Sequence, residues 1–203
     1  FKKVIDFLDL LGELSIPSRV MLTLTRENID QIIPLARELA GRADRFTFNR
    51  LSSVGEGADL QLPGREKYFA FMQDYLLAAK ELPFIGLKDN LLNALLWENK
   101  EPVFGGCTGF GCGAAFNFVS LLPDGEVHAC RKFDSKIGNL YTQDLESIYQ
   151  SDKAELYRSG PSECHGCPMS PVCRGCLAVI SSSGLEVAKD RDPYCWLNPE
   201  ICS

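Results

Sequence analysis

The chain lacks any apolar run approaching the roughly 18 residues that span a bilayer, so a membrane-spanning helix is not expected. It also lacks an export signal: the apolar stretch behind Phe1-Lys2-Lys3 is interrupted by Asp6 and Asp9. The sequence opens without Met, which suggests a cut through a longer protein. There is no basic stripe interleaved with aromatics, and the formal net charge is −6. Nucleic acid is therefore not an expected partner. No internal repeat or low-complexity segment is visible. What the chain has in excess is cysteine: nine, every one at or beyond position 107. An odd count, no export signal and tight C-x2-C pairs argue against a secreted disulfide scaffold. Thiolates reserved for metal are the better reading, with iron–sulfur clusters and zinc both open.

The 203 residues, 45% of them hydrophobic, suffice for one large domain or for a small α/β unit followed by a cysteine-rich module. Helical spacing of Val4, Ile5, Leu8 and Leu11 predicts a helix over 1–14. Val20 to Leu24 reads as a strand, and Thr25 offers an N-cap to a helix reaching about Ala40, which Pro34 kinks or delays. Gly41 can end it. A second strand over 45–51, a loop with Gly55 and Gly57, and helices over 65–81 and 89–98 complete the first part. Strand, helix, strand, helix is the pattern of parallel βαβ units. Two strands alone make a poor parallel sheet, so residues 1–103 read as one side of a larger α/β barrel.

Composition shifts between Pro102 and Gly106, which makes 104–203 the second module. Pro123-Asp124-Gly125, flanked by Phe116 to Leu122 and Glu126 to Ala129, predicts a β-hairpin, because Pro presets φ and Gly supplies a positive one. Leu145 to Tyr157 reads as a helix. Beyond Tyr157 the sequence offers little to bury except what metal ligation organises.

Two cysteine groups stand out. One is Cys107, Cys112 and Cys130. The other is Cys164-x2-Cys167-x5-Cys173-x2-Cys176, with Cys195 and Cys202 following. Cys112, twelve residues, Gly125, four residues and Cys130, then Cys164, Cys167, Cys173 and a final Cys195, resemble the SPASM domain. SPASM is the C-terminal extension of radical S-adenosylmethionine (SAM) enzymes that mature peptides and proteins. Ile137 to Leu140 and Leu145 to Tyr149 resemble that family's linker. The last spacing departs from the pattern, being x2 where the family has x3, which leaves Cys176 the least secure ligand.

The resemblance implies the C-terminal part of a partial (β/α)6 barrel followed by a module holding two [4Fe–4S] clusters. One would use Cys107, Cys112, Cys130 and Cys176, and the other Cys164, Cys167, Cys173 and Cys195. Asn49, Arg50 and Gly55 fall where strands of the family meet SAM. The C-x3-C-x2-C of the family's SAM-cleaving cluster is absent, so SAM and a third [4Fe–4S] cluster would belong to a longer parent enzyme. The implied partners are a peptide or protein substrate with a leader and a reductase or flavodoxin-type electron donor, in the cytoplasm. The competing reading is a non-catalytic electron-transfer or zinc-binding module, with Cys164, Cys167, Cys173 and Cys176 on one ion. His128, His165 and Arg131 lie near the cysteines, and local hydrogen bonding or exposure is the plainer account of each. Cys202 reads as a free thiol.

Overall fold

The computed structural model describes residues 1–197, so Cys202 lies outside the described residues. The chain divides into two compact units. The first comprises Phe1–Leu51 and Leu60–Asp89. The second comprises Ser52–Asp59 and the chain from Asn90 onward.

In the first unit, helix α1 spans Lys2–Glu13 and strand β1 spans Arg19–Leu24. The expected long helix after Thr25 is shorter. A single turn at Ile29–Gln31 leads into α2, Ile32–Glu38, which places Pro34 in the first helical turn. Proline is tolerated there because the N–H it lacks has no partner within the helix. Thr25 does not cap with its side chain; its N–H donates to Asn28 Oδ1 at 2.8 Å instead. Strand β2, Arg45–Arg50, runs parallel to β1 from Arg19↔Arg45 to Leu24↔Arg50. Its alternation buries Phe46, Phe48 and Arg50. Helix α3, Arg65–Glu81, presents Tyr68, Phe71, Met72, Tyr75 and Leu76 to that face. The Phe48 ring meets Phe71 and Tyr75 edge-on, at 5.1 and 4.7 Å between centroids. These contacts contribute beyond the area they bury. A lone parallel bridge, Phe46↔Ile85, extends the pairing beyond β2. The larger barrel remains an expectation.

In the second unit, α4 (Leu92–Glu98) is buried along Leu92 to Leu96. It had been expected to fall with the first module. The predicted hairpin is β3, Ser120–Leu121, paired antiparallel with β4, Glu126–His128. Gly125 takes φ +83° at its turn. A third strand that the sequence reading did not anticipate, β5 (Lys136–Asn139), pairs with the other side of β4. The helix expected over 145–157 is two: α5 (Leu145–Tyr149) and α6 (Asp152–Ser159). Ser151 causes the break. Its hydroxyl donates to the Ile148 carbonyl at 2.7 Å and accepts the Ala154 N–H at 3.2 Å, ending one helix and capping the next. The expectation of an almost core-free tail is also corrected. Helix α7, Leu177–Ser182, buries Leu177, Ala178 and Ile180 against Val127, Ala129, Phe133, Ile137 and Ile148. Its four buried residues form a short apolar run between loop signals on either side, too brief to show a period. Among the described residues, no helix is long and apolar enough to cross a membrane.

Candidate metal centre

Consecutive tight turns shape the loop from Cys164 to Cys176. The Cys167 N–H donates to the Cys164 carbonyl at 3.1 Å, Ser170 N–H to Cys167 at 2.9 Å, and Val172 N–H to Met169 at 3.0 Å. These bonds satisfy backbone polar groups within the loop and hold it compact. Cys164, Cys167, Cys173 and Cys195 line a single pocket of about 410 Å³, part of it open to solvent. Arg174, Arg191 and Asp192 share its wall.

The other cysteines gather elsewhere. Cys112, Cys130 and Cys176 all pack against the apolar cluster that holds β4, β5, α5 and α7 together. Burial pushes the Cys112 thiol up to about 12, and the neighbouring Cys176 and Cys130 sulfurs add to that rise. Burial likewise raises Cys130, with Cys176 contributing, and raises Cys195, with Cys167 contributing. These influences run within the two groups, 112/130/176 and 167/195. Cys107 is exposed, and its N–H donates to Asn90 Oδ1 at 2.6 Å. None of the eight described cysteines is joined in a disulfide. Among the described residues, no three His, Cys, Asp or Glu side chains converge closely enough to hold a bare metal ion.

A local device recurs. Cys112 receives the N–H of Ala114, Cys130 that of Lys132, Cys173 that of Gly175 at 3.4 Å, and Cys195 that of Leu197. In each case the donor sits two residues ahead, and Leu177 adds a second N–H at Cys112. Fixed N–H dipoles aimed at sulfur stabilise thiolate over thiol and so favour metal ligation. This soft, all-thiol donor set, held in turns without disulfides, fits iron–sulfur clusters.

The two histidines are used or placed otherwise. His128 accepts the Ser135 N–H on Nδ1 at 3.2 Å, which leaves the proton of the neutral ring on Nε2, 3.0 Å from Glu126 Oε2. His165 and Arg131 are exposed. In the first unit, Arg50 is 2% exposed and its Nε lies 2.7 Å from Asp89 Oδ2, with the guanidinium 5.4 Å from the Tyr68 ring centre. Asn49 donates to Met21 Sδ at 2.7 Å. Gly55 belongs to the second unit, exposed, with φ +54°.

Three groups escaped the sequence reading. Asn90 and Asp192 are buried and hydrogen-bonded to the backbone of the cysteine loops. Arg174 donates to the carbonyls of Arg158, Phe110 (2.6 Å) and Cys112 (3.3 Å), tying the two cysteine-bearing segments together. No spacing or motif marks any of them, because their role is visible only once the loops are folded.

Residues 112–177 match the SPASM family, described as an iron–sulfur cluster-binding domain. Over 191 residues, 87% of this chain, the sequence is 26% identical to the antilisterial bacteriocin subtilosin biosynthesis protein AlbA of Bacillus subtilis (strain 168). The match spans 39% of that protein's length. The stretch from Cys112 to Leu177, whose thiols fall into the two groups described above, is thus the part of the chain that is similar to the SPASM iron–sulfur cluster-binding domain.

Proposed function

We propose that this chain is the auxiliary-cluster portion of a radical SAM enzyme that oxidatively modifies a ribosomally made peptide. In this reading it holds two [4Fe–4S] clusters, one on Cys107, Cys112, Cys130 and Cys176 and the other on Cys164, Cys167, Cys173 and Cys195. The observation that carries the reading is the sorting of the thiols: four on one pocket wall, three on one core cluster. The likeness to a protein of bacteriocin biosynthesis supports a peptide substrate.

Bound clusters of this kind accept and pass single electrons, or hold a fourth ligand position for a substrate thiolate. The chain's own residues set the conditions for that. Fixed N–H groups partly offset the burial that opposes thiolate at Cys112, Cys130 and Cys195. Arg174 and Arg191 place positive charge on the wall of the four-thiol pocket, where a cluster and its thiolates would carry net negative charge. The first unit would supply one side of the barrel, with Asn49 toward SAM. Cleavage of SAM, a third cluster and a flavodoxin-type electron donor belong to the parent enzyme. The second reading, a zinc-stabilised or electron-transfer module, makes a different prediction for composition. After anaerobic reconstitution, about eight irons and eight sulfides per chain support the proposal. One zinc without sulfide refutes it.

A further inference from the structure

Cys173 and Cys176 are separated by two residues, a spacing from which a tight turn ordinarily offers both thiols to one metal. In this fold they part. Cys173 lines the pocket with Cys164, Cys167 and Cys195, whereas Cys176 packs with Cys112 and Cys130. Two features accompany the divergence. Arg174 and Gly175 both adopt positive φ, 57° and 64°, which turns the chain sharply between the thiols. The Gly175–Cys176 peptide unit is also gripped at both polar ends. Its carbonyl accepts from Asn90 Nδ2 at 2.7 Å, and its N–H donates to Asp192 Oδ2 at 2.9 Å.

Both holders are buried, Asn90 at 4% and Asp192 at 1% exposure. Their chemistry suits the task. Asn90 Nδ2 also donates to the Cys173 carbonyl at 3.0 Å, while Oδ1 accepts the Cys107 N–H at 2.6 Å. This use needs one acceptor and two donors on a single short side chain, which only a carboxamide provides. Asp192 Oδ1 accepts the Tyr194 N–H at 3.0 Å, immediately before Cys195. Through these bonds the two residues touch the backbone at, or next to, Cys107, Cys173, Cys176 and Cys195.

We infer that Asn90 and Asp192 are positioning residues that assign Cys173 and Cys176 to different clusters by holding the peptide between Gly175 and Cys176. The inference rests on the two-cluster reading, and the experiment separates the two. Wild-type full chain and variants are reconstituted anaerobically, and iron, sulfide and the EPR spectrum after reduction are measured. Wild type is expected to hold about eight irons. Asn90→Asp retains the acceptor for Cys107 but loses the paired amide donors; it should keep about half the wild-type iron and lose one of two cluster signals. Asp192→Asn keeps one acceptor for the two N–H groups that the carboxylate now serves, so it should lose less iron than Asn90→Asp. Asn90→Asp combined with Cys176→Ser should hold no less iron than Cys176→Ser alone, because the same ligand is affected. Wild-type iron and spectrum in Asn90→Asp, an additive loss in the double variant, or equal loss in Asp192→Asn overturns the inference. Fewer than about eight irons in the wild type overturns the two-cluster reading itself. Should Asn90→Asp fail to fold, Asp192→Ala frees the Cys176 and Tyr194 N–H groups, and full loading there is equally decisive against it.

Discussion

Asp89→Leu tests whether Arg50 is primarily a structural group of the first unit. The Arg50 side chain is 1% exposed and that of Asp89 6%, with 2.7 Å between Nε and Oδ2. Removing the carboxylate leaves a guanidinium that burial has stripped of water. Breaking a buried pair from one side costs about 3–5 kcal/mol. That is a large share of the ~5–15 kcal/mol that holds a typical domain together. With a urea dependence near 2 kcal/mol per molar, the unfolding midpoint should fall by roughly 2 M. Replacing both partners, Arg50→Met with Asp89→Leu, should recover most of the loss, since attraction in a buried pair roughly offsets desolvation. Far-UV circular dichroism through a urea titration at neutral pH reads both effects. A single-variant midpoint within about 0.5 M of wild type, well inside the predicted shift, refutes the reasoning. So does a double variant no more stable than the single. The result also bears on SAM: an Arg50 variant that loses parent-enzyme activity only in proportion to its folded fraction owes the loss to the ion pair.

The metal-free protein should lose stability as pH rises above about 9. Folding holds the Cys112 proton until about 12, whereas an unfolded cysteine releases it near 9, so the unfolded chain binds fewer protons across that window and alkali favours it. Melting temperatures at pH 7 and pH 10 should differ in that direction for apo-protein and much less for the cluster-loaded form, whose thiols are already deprotonated; an equal drop in both counts against the assignment of Cys112. Gly175→Ala should reduce iron retention against a chelator. Its φ of +64° strains any L side chain, and a Cβ there would lie 2.5 Å from Asp192 Cβ; unchanged retention would show that the turn tolerates displacement.

Much of the fold was legible because periodicity survives wherever one face is buried. The α3 face of Tyr68, Phe71, Met72, Tyr75 and Leu76 and the Phe46/Phe48 alternation of β2 read directly as core, as did the Pro123-Asp124-Gly125 turn. The errors share another cause. Ser151 breaks 145–157 by hydrogen bonds to backbone on both sides, and a hydroxyl in a helical pattern carries no outward mark of doing so. Helix α7 was missed because its six residues are too few for a periodic signal and sit between cysteine loops. The same division holds at the candidate centre. Spacing marks which cysteines are candidates for metal, since two thiols can leave one tight turn. It is silent on which thiols share a centre, and the x2 interval made Cys176 look doubtful for that reason. In the proposed partition the decisive contacts come from side chains distant in sequence, Asn90 eighty-five residues before Gly175 and Asp192 sixteen after Cys176, meeting one peptide bond. An x2 spacing is thus compatible with divergent ligation when the turn between the cysteines is left-handed and its peptide is held from both ends, so spacing alone is no ground for moving Cys176 to the pocket of Cys173.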